Sequence, residues 1–267
     1  PSSSGDGGSE RLLSLHYPNR IEYTPSMRRT IRVQLQPSAL QTPLLAETGR
    51  QFTAAFNQAC RLGWEAGITN TTKLHYVVYY PVKYAHPTLV SDLVNQVRVK
   101  AAEALRSVQA LQRKGKTVSC PRSAACPPRY NRNTFKVDWE SRTVRLSTTG
   151  GRQTLRFHLP TYYVRYVGGA TDTADLLHRD GKWWLHISLT LPDPVIAPSA
   201  AVIGVDLGLA QPAVTSTNQF LGERRWKAIE GRTFRLRRAL QAKGTKSAKR
   251  HLRQTARRQA RFRHDCD

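Results

Sequence analysis

The chain has 267 residues, with 42 Lys and Arg against 18 Asp and Glu, for a formal net charge of +24. That length can bury sizeable cores and allows two domains, while so large a positive excess repels itself unless a polyanion neutralises it, so nucleic acid is the expected partner. No apolar run approaches the ~20 residues of a spanning helix and no signal-peptide pattern is present, which argues against a membrane.

Residues 1–10, PSSSGDGGSE, have linker composition, and residues 1–27 are expected to form a flexible tail. Thr30 to Gln36 alternates, with Ile31, Val33 and Leu35 on one face and Arg32, Gln34 and Gln36 on the other, the pattern of a half-buried strand. Ser38-Ala39-Leu40-Gln41 has capping-box spacing and opens a helix. Leu40, Leu44, Leu45, Phe52, Ala55, Phe56 and Ala59 carry its stripe to about Leu62. Residues 63–90, rich in Thr, Tyr and Pro, read as irregular. Ser91 is expected to cap a second helix whose stripe runs from Leu93 to Leu111.

That helix stops at Lys114-Gly115-Lys116, and a β-rich stretch follows. Thr134 to Asp138, Thr143 to Leu146, Leu155 to Leu159 and Tyr162 to Val167 read as short strands. Asp180-Gly181 is a type I′ turn pair leading into Lys182 to Leu191. There Trp183, Leu185, Ile187, Leu189 and Leu191 face inward, while Trp184, His186, Ser188 and Thr190 face outward. Trp184 either stacks on a base or simply covers the outside of a barrel. A strand, inserted helices and then more strands predict a small antiparallel barrel interrupted by helices. Cys60, Cys120, Cys126 and Cys266 are scattered, without knuckle spacing for zinc, and read as reduced thiols in an intracellular protein.

Pro192 to Ala200 is a proline-punctuated linker. Beyond it, Ala201 to Val205 forms an apolar run that reads as a buried central strand ending in one carboxylate, Asp206. The turn Leu207-Gly208-Leu209-Ala210 and a second β-prone run, Pro212 to Thr217, complete a hairpin. A charge at the end of a core strand is costly unless paired or bound to a metal, so Asp206 is either a metal ligand or a turn cap. Thr233 to Arg263 follows as a long basic helix or helix pair. Between Arg224 and Arg263 there are 16 Lys and Arg against one acid, Glu230. Solvated faces mix signs and this one does not, which favours phosphate contact. The sequence starts at Pro1 and stops within a helical pattern, so a piece of a longer protein is expected.

The order TIRVQLQPSALQTPLLAETGRQFTAAFNQAC, LQRKGKTVSCPR, GKWWLHISLTL, IGVDLGLAQPAVTST and a basic helix containing KGTKS resembles TnpB, the transposon-encoded RNA-guided DNA endonuclease, and the compact type V CRISPR effectors. The likeness runs from residue 28 to residue 267, and the GVDLG hairpin with its basic helix is the most specific part. It implies an α+β multidomain protein. Residues 28–37 and 118–195 would form the wedge, an oligonucleotide-binding-like β-barrel, with residues 38–117 as an inserted helical recognition lobe. Residues 201–267 would begin an incomplete RNase H-like (RuvC) nuclease domain.

Under that resemblance Asp206 is the first catalytic and metal-binding carboxylate. In such nucleases two Mg²⁺ about 4 Å apart activate a water and stabilise the leaving oxygen. Asn95 and Gln96 face the duplex motif flanking the target, where amides pair with adenine; ordinary helix amides are the alternative. From the charge run itself, Arg232, Arg235, Arg238, Lys243, Lys246, Lys249, Arg250, Arg253 and Arg257 are expected to meet the nucleic-acid backbone, and an outward Trp184 stacks on RNA unless it only covers the barrel. The implied cofactors are Mg²⁺ and a guide RNA, and the partners are that RNA and double-stranded target DNA. A monomeric, cytoplasmic prokaryotic ribonucleoprotein is implied, associated with the nucleoid when bound to DNA. Only Asp206 of the family's three acids is matched, and its CxxC zinc pair is absent, so the chain alone is not expected to cut. An RNA-guided repressor without cleavage and an unguided basic binding protein are the competing readings. Cleavage abolished by Asp206→Ala separates the first of these from a nuclease, and co-purification of one discrete RNA rather than a smear separates the second.

Overall fold

A computed structural model describes residues 26–193, 202–208, 211, 213–222 and 225–266. Residues 1–25 of the expected tail, the linker residues 194–200, and Ala201, Leu209, Ala210, Pro212, Glu223, Arg224 and Asp267 lie outside them, while Ser26 and Met27, expected in that tail, belong to the first strand. The chain divides into two compact units, residues 1–194 and 195–267.

In the first unit seven strands form one antiparallel sheet. They are β1 (Ser26–Gln36), β2 (Arg129–Tyr130), β3 (Phe135–Asp138), β4 (Thr143–Thr148), β5 (Gly151–His158), β6 (Ala170–Arg179) and β7 (Lys182–Pro192), in the order β2-β6-β7-β1-β5-β4-β3. β1 is central. It pairs with β7 from Ser26↔Pro192 to Leu35↔Trp183, and the alternation read from the sequence holds: Ile31, Val33 and Leu35 are buried against Trp183, Leu185, Ile187 and Leu189. The edge strands β2 and β3 are consecutive in the chain, separated only by residues 131–134. Asn131 Oδ1 accepts from the Asn133 and Thr134 amides at 3.1 and 3.2 Å and tightens that turn. So short a connection brings the two edges together, and the sheet curls into a nearly closed barrel that leaves little edge for stray pairing. At the β6–β7 hairpin Asp180 (φ 53°) and Gly181 (φ 74°) both take the left-handed conformation that a type I′ turn demands.

Three helices enter between β1 and β2: α1 (Gln41–Glu65), α2 (Thr71–Ala85) and α3 (Ser91–Arg113). The capping box is reciprocal: the Gln41 amide donates to Ser38 Oγ at 3.3 Å, and the Ser38 amide donates to Gln41 Oε1 at 3.1 Å. Gln41 Nε2 also donates to the Thr154 carbonyl on β5, fixing the start of α1 to the barrel. α2 departs from the expectation of irregular chain. Asn70 caps it, its side chain accepting from the Thr72 and Lys73 amides at 2.9 and 3.0 Å, and Leu74, Val78 and Val82 form a fully buried stripe. Packing of that stripe outweighs the poor helix propensity of a Tyr-, Val- and Pro-containing segment. Ser91 makes no cap bond; it is the first residue of α3 and Val90 precedes it as the cap. Tyr162 to Val167, expected as a strand, is instead a 3-10 turn over Thr161–Tyr166.

Helices and barrel share one continuous core, which joins Leu45, Phe52, Val78, Leu93 and Val97 to Ile31, Leu146, Leu155 and Leu185. Gly63 allows the close approach of the three helices, since a Cβ there would lie 2.5 Å from Leu105 Cδ1 and 2.8 Å from Leu74 Cδ1. An ion network ties α3 to the barrel edge. Lys100 Nζ lies 2.9 Å from Asp175 of β6 and 2.7 Å from the Pro127 carbonyl, while Arg129 of β2 reaches Glu103 at 2.8 Å.

The second unit holds a small antiparallel sheet, β8 (Val205–Asp206), β9 (Ala213–Thr215) and β10 (Phe220–Leu221), and two helices, α4 (Trp226–Lys243) and α5 (Lys246–Cys266). The apolar run before Asp206 is not buried. Ile203 and Val205 are more than half exposed, and Phe220 and Phe234 are exposed too. The described part of this unit therefore leaves its apolar surface without a covering layer, which is why the expected central strand shrinks to two residues of an exposed hairpin.

Candidate nucleic-acid interface

The basic segment folds as a helical hairpin. Gly244 ends α4 in the left-handed conformation (φ 62°). Thr245 then starts α5, its Oγ1 accepting from the Ala248 amide at 3.1 Å and its carbonyl from the Lys249 amide at 2.9 Å. The KGTKS stretch is thus a stop signal followed at once by a start signal. Glu230 fixes the two helices antiparallel: it accepts from Arg263 Nε at 2.9 Å and from Gln259 Nε2 at 2.7 Å. The Arg263 guanidinium holds the Glu230 carboxyl below its ordinary range.

That pairing uses up the single acid between Arg225 and Arg263. Ala248, Leu252, Thr255, Gln259 and Phe262 recur at steps of three and four and form the buried or half-buried side of α5. At 100° per residue, Lys246, Arg250, Arg253 and Arg257 fall on the opposite side. All nine cations predicted to meet a nucleic-acid backbone are exposed: Arg232, Arg235, Arg238, Lys243, Lys246, Lys249, Arg250, Arg253 and Arg257. One helical hairpin therefore presents a positive row with no interleaved carboxylate, a surface matched to evenly spaced phosphates.

Asp206 pairs through its backbone with Val214 of β9, and the ladder continues past it through the Ser216 amide, which donates to the Gly204 carbonyl at 2.8 Å. Its side chain is exposed rather than sunk at the end of a core strand. A carboxylate is the right donor for Mg²⁺, but that ion takes several oxygen ligands. Among the described residues no three His, Cys, Asp or Glu side chains converge to hold a metal. Asp206 alone is too few ligands for a two-metal centre.

On the barrel, Trp184 is half-buried on the outer side of β7. It lines a cleft of about 560 Å³ with Arg32, Tyr163, Arg179, Lys182 and His186. Arg32 Nε donates to Tyr163 Oη at 3.3 Å, which orients both groups along the cleft wall. Burial, then the nearby Arg32, lowers the pKa of His186 and favours its neutral form. Asp180 is the one acid of this cleft, 3.8 Å from Arg179 Nε, and an aromatic plane beside Arg32, Arg179 and Lys182 suits a base and its phosphate. A second cleft of about 650 Å³ is lined by Arg28, Arg29, Asn131, Arg132 and Asn133, with Asp172 as its one acid. This cleft is not legible in the sequence, because the turn at 131–134 reaches β1 only when the barrel curls.

Asn95 and Gln96 both lie near the start of α3 and are half-buried. Cys60, Cys120 and Cys126 are free thiols, and burial pushes the Cys60 thiol up to about 12, so it stays protonated. Other exposed aromatics escaped the sequence reading. Arg165 lies over the ring of Tyr162 at 4.2 Å on the 3-10 turn, and α2 turns Tyr76, Tyr80 and Tyr84 outward. The four-residue spacing of those tyrosines was visible in the sequence, but it has meaning only once the segment is known to be a helix.

No family model matches the chain, and no curated protein matches it either.

Proposed function

We propose that this chain is the nucleic-acid-clasping part of an RNA-guided DNA endonuclease of the TnpB kind. The observation that carries the reading is the α4–α5 hairpin, where Glu230, the single acid from Trp226 to His264, is taken up by Arg263 and Gln259 while a row of cations faces outward. In this reading the hairpin grips a phosphate backbone. The barrel clefts around Trp184 and around Arg28, Arg29 and Arg132 hold the guide RNA, and Asn95 and Gln96 meet the duplex motif beside the target. Asp206 supplies one carboxylate to a Mg²⁺ site whose other ligands come from outside the described residues. The protein works without a membrane, and no helix among the described residues is long and apolar enough to cross one.

The test uses the protein that carries this chain. Purified under native conditions, it should retain one discrete structured RNA. With Mg²⁺ it should cut a duplex complementary to that RNA, and Asp206→Ala should abolish cutting while leaving RNA retention intact. A heterogeneous RNA smear would point to an unguided binder. A discrete RNA with guided binding and no cutting by the parent protein would point to a repressor. Undiminished cutting by Asp206→Ala would remove Asp206 from the site.

A further inference from the structure

The outer side of α2 carries a row of aromatic rings that neither the cation row nor the barrel clefts use. Tyr76, Tyr80 and Tyr84 stand at successive four-residue steps and are 79%, 60% and 79% exposed, while Leu74, Val78 and Val82 on the other side are fully buried. Large apolar side chains exposed singly are ordinary; three in register on one helix form a patch that asks for a partner. At 1.5 Å rise per residue, successive rings advance about 6 Å along the axis. Tyr80 and Tyr84 are nearly parallel, with 28° between their planes and centroids 6.2 Å apart. Tyr79 meets Tyr80 edge-on at 5.3 Å, and His75 lies against Tyr79 at 4.9 Å, so the row is braced from the side by other rings.

The chemistry of the row selects its partner. A protein groove that takes up a helix reads the apolar face of an amphipathic helix, but the apolar face of α2, with Leu74, Val78 and Val82, is turned into the core. What remains outside is phenol, with a π-face and a hydroxyl, and Lys73 is exposed one turn before Tyr76. No acid occurs between Glu65 and Asp92, and the chain as a whole carries +24. Bases present π-faces only when unpaired, and stacking on aromatic side chains is tolerant of sequence. We infer that Tyr76, Tyr80 and Tyr84 form a stacking row for the unpaired bases of single-stranded nucleic acid, with Lys73 facing its phosphates. This rests on the nucleic-acid reading above and adds strand state to it: α2 separates single strands from duplex.

The experiment compares the parent chain with Tyr76→Ala/Tyr80→Ala/Tyr84→Ala and with the corresponding triple Phe variant. Binding is read by fluorescence anisotropy on labelled oligothymidylate, oligouridylate and a duplex of the same length. The positions are exposed and Ala favours helix, so circular dichroism should show α2 intact. The Ala variant should lose about tenfold or more in single-strand affinity, with under twofold change on the duplex, and the Phe variant should bind like the parent. Loss on oligouridylate alone or on oligothymidylate alone would also support the row and would assign it to RNA or to DNA. Equal losses on single strand and duplex, or single-strand binding within twofold of the parent, would overturn it. A parent that binds none of the three probes would overturn the nucleic-acid reading itself. Loss of binding in a variant lacking the α5 cations, with none in the Tyr variant, would sink only the stacking row.

Discussion

His186 couples the barrel's stability to its candidate RNA cleft. The folded chain keeps it neutral through burial and the adjacent Arg32, with Asp175 pulling weakly the other way. Burial and Arg50 act in the same sense on His86. The unfolded chain takes up these protons near pH 6.5, and the folded chain only at lower pH. Between those points the unfolded state binds more protons, so stability rises with pH and is lost on acidification. The melting temperature should therefore drop from pH 7.5 to pH 5.5, and His186→Gln should flatten part of that drop. A variant whose pH profile overlays that of the parent would show that His186 carries none of it. Glu230 titrates below this window because Arg263 lowers it, so its contribution persists there.

The α4–α5 hairpin owes its shape to two adjacent residues, Gly244 and Thr245, and its charge to having a single acid, Glu230, between Arg225 and Arg263. Each cation that neutralises a duplex phosphate releases condensed counterions and contributes about 0.9 to the slope of log affinity against log salt. Replacing Lys246, Arg250 and Arg253 by Gln should then lower the magnitude of that slope on duplex DNA by about 3, with little effect on folding, since all three side chains are exposed. An unchanged slope would place the phosphates elsewhere. The Lys100–Asp175 and Arg129–Glu103 pairs do different work: they join α3 to the edge of the barrel, across a boundary where removing one partner leaves a partly buried charge behind.

In the first unit, helices and barrel bury one contiguous set of side chains, so they should unfold together. Phe52→Ala in α1 and Leu185→Ala in β7 each remove a fully buried side chain. Each should cost about 3–5 kcal/mol and shift the same transition, followed both by far-ultraviolet circular dichroism and by tryptophan fluorescence. Separate transitions for the two probes would instead make the helical segment an independently folding lobe. The second unit differs, since Ile203, Val205, Phe220 and Phe234 remain exposed in its described part.

Sequence alone determined what depends on local chemistry. The alternation of Ile31, Val33 and Leu35 against Arg32 and Gln34 fixed β1, Ser38 and Gln41 fixed the start of α1, and Asp180-Gly181 fixed the β6–β7 turn, because each is decided by period, cap or backbone conformation within a few residues. The charge of the α4–α5 segment was equally legible, as charge is a property of composition. Tertiary structure decided the rest. α2 exists because Leu74, Val78 and Val82 find a core that its own propensities do not promise, and Thr161–Tyr166 winds into a 3-10 turn although its residues favour a strand. The cleft at Arg28, Arg29 and Arg132 forms only because the sheet curls until the turn between β2 and β3 comes up to β1. Local rules act over one or two turns, whereas burial depends on which distant surfaces meet, and that is settled only when the chain has closed on itself.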